Sequence, residues 1–416
     1  MGRKGTYSRR EFLGASAAVG ATLVLPKNVF AQGSDTIKVG LIGCGGRGTG
    51  AVIDAANADP GVVLWAMADV FKDRIDGSAN TLRDNLKDRY KVTDDRKFVG
   101  FNAYEYVLMS GVDVVILTAP PGFRPAHLRA SIEHGKHVFM EKPIATDAPG
   151  VRSVLGSSEM ARQKGLAIVA GTQRRHDVAY RECMHRIHDG AIGDVVACYA
   201  YWNQGGLWMH TRRPEWTDME WQLRNWLYFT WLSGDIIVEQ HIHNIDVCLW
   251  AKGKLPVKAI SLAGRQARTD PAYGHVFDHF ATEFEWDDGS KLISMCRQID
   301  GTASRVEELV VGTKGTSNAN TVIRGEGAWR FDGDRPNPYM LEHRNLIQSI
   351  RSGNLINEGR QVAETTMTAI MGRMAGYTGQ EITYEQALND KVVLAPDHLA
   401  FGPVPVPPVA IPGRTS

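Results

Sequence analysis

Between residues 37 and 171, short apolar runs alternate with stretches suited to helices. Ile37-Lys38-Val39-Gly40-Leu41-Ile42 is the first run, residues 48–58 suit a helix, and Val62-Val63-Leu64-Trp65-Ala66-Met67-Ala68 is the second run, ending at Asp69. Further runs at 112–118, 136–140 and 166–171 are separated by helical stretches at 124–134, closed by Gly135, and at 151–164. Runs that are apolar throughout belong to strands buried on both faces, so this pattern predicts an α/β domain with a doubly wound parallel sheet. From Gln173 onward the period shortens. Residues 195–202, 259–265, 277–286, 291–298 and 306–313 alternate, and Asp287-Asp288-Gly289 and Thr313-Lys314-Gly315 supply turns. That predicts a second, α+β domain with a mostly antiparallel open sheet, and an amphipathic helix over 339–351. The expected domains are 34–172 and 173–400, with an extended Pro-rich tail at 401–416.

The first run leads into Gly43-Cys44-Gly45-Gly46-Arg47-Gly48, and a carboxylate, Asp69, closes the second run. In a strand–loop–helix setting, Gly43 permits the tight turn, Gly45 lets the backbone approach a pyrophosphate, and Gly48 lets helix and strand pack closely, with Gly46 a further cofactor-binding position of the loop. The helix amino terminus adds N–H groups and positive dipole. Asp69 would accept from the adenosine ribose and repel a 2′-phosphate, favouring NAD over NADP, although Arg74 nearby would tolerate that phosphate. Arg47 either contacts phosphate or is simply exposed. Thr118, Pro120 and Pro121 lie at the carboxyl end of the third run, where open parallel sheets bind ligands.

The chain begins differently. Basic residues precede Ser8-Arg9-Arg10-Glu11-Phe12-Leu13-Gly14, an uncharged stretch runs to Leu25, and Val29-Phe30-Ala31 offers a cleavage site. This order reads as a twin-arginine signal over 1–31, directing export of a folded protein to a periplasmic or other extracytoplasmic space by the twin-arginine machinery. The stretch is shorter than the roughly 20 residues a spanning helix needs, so no stable membrane insertion is expected. Lys+Arg 47 against Asp+Glu 46 points to no nucleic-acid partner. The five cysteines are scattered without a C-x-x-C pair and suggest no disulfide scaffold or metal site.

The glycine loop, Ala119-Pro120-Pro121, His127, Gly135-Lys136-His137-Val138 and Glu141-Lys142-Pro143 together resemble the glucose–fructose oxidoreductase/inositol dehydrogenase (Gfo/Idh/MocA) family over nearly all of the chain beyond the signal. The resemblance implies that Glu141 and Lys142 lie at the cofactor, with Lys142 contacting a substrate hydroxyl near the nicotinamide. His127 and His137 read as structural. The segment from Ser233 to Trp250 is similar to the family's D-x-x-x-H-x-x-D stretch, with His243 and Asp246 at the histidine and later aspartate positions. On one continuous helix Glu239, His243 and Asp246 would share a face. Glu239 replaces the family's first aspartate and His241 stands where glycine is common, which leaves the role of Glu239 open. A metal held by Glu239, His241 and His243 is disfavoured, because the same helix turns His241 away and a metal needs three or four converging ligands.

Trp202, Arg224 and Trp226 stand in Trp- and amide-rich segments that suit either a carbohydrate site or core packing at the domain junction. Arg175 either binds substrate or links the domains. The combined reading is an oxidoreductase that transfers hydride between nicotinamide and a hydroxyl of a sugar, cyclitol or related polyol. His243 would be the base, Lys142 would polarise the oxygen and Glu239 would assist. Relatives that are glycosidases cleave by transient oxidation, elimination, hydration and re-reduction, and that is the alternative; an exported sugar-binding scaffold is a third. Export further implies tightly held NAD, and the family implies a homo-oligomer built on the open sheet face.

Overall fold

The computed structural model describes residues 35–414, so the segment read as a twin-arginine signal lies outside the described residues. From Ile37 onward the chain forms one compact unit. Its first half lays down β1 (Ile37–Ile42), α1 (Gly46–Ala58), β2 (Val62–Asp69), α2 (Lys72–Leu86), β3 (Lys97–Val99), α3 (Ala103–Met109), β4 (Val114–Leu117), α4 (Arg124–Glu133), β5 (His137–Met140), α5 (Ala148–Lys164) and β6 (Ile168–Ala170). The six strands pair in parallel in the order β3-β2-β1-β4-β5-β6. The order reverses between β1 and β4, where a doubly wound sheet opens a crevice at its carboxyl edge. The short β3 pairs Met67 with Lys97 through Asp69 with Val99, and at three residues is too brief for a sequence period to show.

The second half contributes α6 (Val178–His188), β7 (Val195–Gln204), α7 (Asp218–Arg224), α8 (Thr230–Ser233), α9 (Ile236–Glu239), α10 (Ile242–Lys252), β8 (Lys258–Gly264), β9 (His279–Glu285), β10 (Lys291–Gln298), β11 (Arg305–Gly312), β12 (Gly315–Ser317), β13 (Val322–Gly325), β14 (Trp329–Arg330), α11 (Pro338–Ser352), α12 (Gly359–Thr378), β15 (Ile382–Thr383) and α13 (Tyr384–Asn389). The nine strands run β14-β13-β12-β11-β7-β10-β9-β8-β15 and are antiparallel apart from the β7–β10 pair. One sheet face is covered by helices: Phe280 and Phe284 of β9, Leu292 and Cys296 of β10, and Cys198 of β7 are almost fully buried. The other face carries Ile260, Leu262 and Met295, which are exposed, beside the stacked rings of Tyr199 and Tyr201.

Two arrangements differ from the sequence pattern. The helical continuity expected to set Glu239, His243 and Asp246 on one face is interrupted. Asp235, at φ 73°, caps α9, the His241 N–H reaches back to the Ile236 carbonyl at 3.0 Å, and α10 restarts with the Asn244 N–H on the His241 carbonyl. The late helices are also not confined to the second domain. Leu346, Ile347 and Ile350 of α11 share a core with β1, β2 and α1 of the parallel sheet. The N–H of Ile168 in β6 donates to the Ile356 carbonyl just before α12. Residues far apart in sequence therefore complete the first domain, which local periodicity cannot reveal.

Candidate active-site crevice

A cavity of about 640 Å³ opens at the carboxyl edge of the parallel sheet, lined by the glycine loop, the ends of β2, β4 and β5, and residues of the second domain. Gly43, at φ +98°, takes a backbone turn that side chains avoid, and a Cβ there would meet the Ala119 nitrogen at 2.4 Å. A Cβ at Gly48 would strike the Gly43 carbonyl oxygen at 2.1 Å. Gly45 and Gly46 differ: an added Cβ meets nothing within 4 Å, so both face open space. α1 begins there with no side-chain cap and no acid in its first turn. Its first N–H groups have no intrahelical acceptor and point at the crevice, an arrangement that fits a dinucleotide pyrophosphate.

Asp69 lies at the same edge. Its Oδ2 accepts from the Cys44 N–H at 2.7 Å and its Oδ1 from the Phe71 N–H at 2.9 Å, while burial raises its pKa above the ordinary carboxylate value. These bonds fix the carboxylate at the position where an adenosine ribose is read. Arg74 lines the cavity close by and makes no ion pair or hydrogen bond among the described residues. Thr118, Pro120 and Pro121 line the crevice as the sequence leads one to expect, although the Thr118 hydroxyl donates to the Gly43 carbonyl at 2.6 Å and so braces the loop. Arg47 lines the crevice too, but its guanidinium bonds Glu141 and Glu342 and lies over the Tyr339 ring at 4.8 Å. Burial works against that charge, yet Glu141 and Glu342 outweigh it and hold the Arg47 pKa above its ordinary value. Arg47 thus ties the glycine loop to β5 and α11, and Glu141 is engaged from the same side.

Deeper in, the Lys142 ammonium donates to the Glu239 carbonyl at 2.6 Å and to Glu239 Oε1 at 3.0 Å. The pair joins the end of β5 to the end of α9, and the Lys142–Pro143 peptide is cis. His243, in the first turn of α10, lines the same cavity and is only 8% exposed. Burial, and then the charges of Lys142, Arg174 and Arg47, hold its pKa well below the usual histidine value, which favours the neutral ring. Trp202 stacks behind it, centroids 5.8 Å apart and planes at 29°. It orients the imidazole without lining the cavity. His241 turns the other way, its Nε2 2.8 Å from Ser294 Oγ. His127 lines the crevice wall, its pKa driven down to about 3 by burial and by Arg124.

Other expected site residues sit elsewhere. Arg175 and Asp246 form a two-point ion pair at 2.8 and 2.9 Å, outside the crevice lining. Asp246 also accepts from Gln361 at 2.6 Å and Thr365 at 2.8 Å of α12, so the helix break turns it towards α12 instead of into the site. Arg224 and Trp226 do line the crevice, with Trp226 packed against Trp208 and Arg224 on the side of Phe71, two residues beyond Asp69. Arg224 grips both oxygens of Asp73 at 3.0 Å and stacks on Phe71 at 3.9 Å. Sequence reading passed over Gln173, Gln240 and Tyr339, which also line the cavity. Gln240 follows Glu239 and was within reach of the motif. Tyr339, far along the chain, carried no local signal.

Two family models match: the oxidoreductase family, NAD-binding Rossmann fold, over residues 37–172, and the GFO/IDH/MocA C-terminal domain over 180–318. Inositol 2-dehydrogenase 3 of Saccharopolyspora erythraea is 25% identical over 257 residues, covering 62% of this chain and 65% of that protein. A glycosyl hydrolase family 109 protein of Streptomyces coelicolor is 27% identical over 238 residues, covering 51% of this chain and 47% of that protein. The chain thus spans less than two thirds of the length of these curated relatives. In fold, it is similar to scyllo-inositol dehydrogenase from Lactobacillus casei with bound cofactor NAD(H) and scyllo-inositol, at a TM-score of 0.64 and 22% identity, covering 84% of this chain and 99% of that one. The chain belongs to the Gfo/Idh/MocA oxidoreductase family, and residues 37–172 are its NAD-binding Rossmann domain.

Proposed function

We propose that the protein oxidises or reduces a hydroxyl-bearing carbon of a sugar, cyclitol or related polyol, using NAD in preference to NADP. The observation that carries this reading is the Lys142–Glu239 pair within electrostatic reach of His243, in the same cavity as the uncapped start of α1. Gly45, Gly46 and Asp69 would hold NAD along that edge, and the bound nicotinamide supplies the hydride acceptor. Lys142 has three N–H donors and spends two on Glu239, which leaves one for a substrate oxygen. Its charge stabilises negative charge developing on that oxygen. Neutral His243, braced by Trp202, takes the hydroxyl proton. Glu239 acts on the reaction by aiming Lys142.

Replacing Lys142 or His243 by Ala is expected to lower turnover by roughly 100-fold or more while NAD stays bound, read by native mass spectrometry alongside steady-state kinetics. Wild-type turnover in both variants would sink the assignment.

The match to the glycosyl hydrolase family 109 protein favours a second reading, glycoside cleavage without net oxidation. Cleavage of aryl glycosides over many turnovers with no added nucleotide would select it. Stoichiometric reduction of bound NAD by free polyols would select the dehydrogenase. The Arg9-Arg10 segment supports export, which would be checked by fractionating cells with and without Arg9→Lys plus Arg10→Lys. The exposed Ile260, Leu262 and Met295 on the open sheet support association with a second copy through that face. Sedimentation showing a monomer would contradict it.

A further inference from the structure

We infer that the second domain and the C-terminal tail form a clasp over the adenosine end of the crevice, so that NAD is retained as a resident cofactor. The inference rests on the NAD reading of the glycine loop and of Asp69. It concerns residues that belong to neither the loop nor the Lys142–His243 centre.

The clasp has an ionic part. Arg224, at the end of α7, reaches across to the first turn of α2, gripping Asp73 with two N–H groups at 3.0 Å each. Glu220, one helical turn back, accepts from the Arg224 Nε at 2.9 Å and fixes the guanidinium plane. That plane lies 3.9 Å from the centre of the Phe71 ring, and Phe71 follows Asp69 on the crevice lining. A planar, fork-shaped cation held at three points and stacked on a ring is a rigid bridge.

It also has an apolar part. Tail residue Phe401 sets its ring between Phe71, at 5.9 Å, and Phe101, at 5.3 Å, both of which line the crevice. The tail just beyond Phe401 is bound to α7. The Met219 N–H donates to the Gly402 carbonyl at 3.1 Å, the Gln222 amide to the Val404 carbonyl at 2.9 Å, and the Val404 N–H to Asp218 at 3.3 Å. Gln222 is itself fixed by the Trp231 indole at 2.7 Å. Opening this end of the crevice therefore means breaking the Arg224–Asp73 pair and lifting Phe401 off two rings together. Phe401 remains 49% exposed, so its placement against Phe71 and Phe101 is not explained by core burial.

The test is the rate at which NAD leaves the full-length protein. Wild-type, Arg224→Ala and Phe401→Ala chains are loaded with radiolabelled NAD, chased with excess unlabelled NAD and sampled by rapid filtration, with the melting temperature of each nucleotide-free chain measured in parallel. Slow wild-type release that becomes roughly tenfold faster or more in both variants, at unchanged nucleotide-free melting temperature, is the expected result. Should Arg224→Ala fold poorly, Phe401→Ala decides alone, because half-exposed Phe401 bears little of the core. Wild-type release rates in the variants would overturn the clasp while leaving the NAD reading intact. A wild-type chain that takes up no NAD would overturn the NAD reading itself.

Discussion

At the scale of single residues, the site is a set of side chains whose alternatives have been removed. Lys142 is held by Glu239, His243 is stripped of its charge by burial and backed by Trp202, and Asp69 is fixed by two backbone N–H groups. Asp69 is the group that should read the cofactor's ribose. Asp69→Ser removes a negative charge beside Arg74, which makes no ion pair among the described residues. The preference for NAD over NADP is therefore expected to fall by about tenfold or more, measured as the ratio of dissociation constants. An unchanged ratio would mean that Asp69 does not face the ribose. The residues tied to short motifs (the glycines, Asp69, Lys142, His243) were legible because motif and strand end coincide. Asp246 and Arg175 were not, since spacing cannot say that Gln361 and Thr365, over a hundred positions away, complete the aspartate's partners.

At the scale of elements, the glycine loop separates two kinds of glycine. Gly48 is required by packing, since its Cβ would collide with a backbone oxygen, whereas Gly45, at φ −74°, is open to any residue and faces the crevice. Gly48→Ala should cost roughly 1–3 kcal/mol of stability in denaturant titrations. Gly45→Ala should leave stability unchanged or slightly raised but weaken NAD binding, by intruding where the pyrophosphate lies. The reverse pattern would mean that the loop does not cradle a phosphate. The parallel strands and their helices were readable, because runs buried on both faces have one interpretation. The break between α9 and α10 was not. A window with Glu239, His243 and Asp246 at helical spacing looks helical throughout, and the interruption at Gln240 and His241 goes with the His241 N–H on the Ile236 carbonyl and the His241–Ser294 contact across to β10.

For the whole molecule, two domains share one crevice, and the interior that holds them carries histidines whose charged form is disfavoured by burial. Burial lowers the pKa of His127 and His241 to about 3 and that of His275 to about 4. Their unfolded value is about 6.5, so as pH falls the unfolded chain binds protons first. The stability they confer is complete above pH about 6.5 and is lost between there and pH about 3, at roughly 1.4 kcal/mol per histidine for each pH unit. Melting temperatures should be flat near neutrality and drop steeply below pH about 6; a flat curve to pH about 4 would contradict it. The return of α11 and α12 to the first domain and the placing of Arg224 at the adenosine end were invisible in the sequence, because both depend on contacts between distant segments.

The central claim is that Lys142 and His243 form the reaction centre of an NAD-loaded enzyme. It is tested most directly by single turnover: wild-type, Lys142→Ala and His243→Ala chains, each shown by native mass spectrometry to hold NAD, are mixed with a panel of neutral polyols while nicotinamide absorbance is followed. Rapid reduction in the wild type, with rates reduced roughly 100-fold or more in both variants, is the predicted result. Reduction at the wild-type rate in either NAD-loaded variant would contradict it.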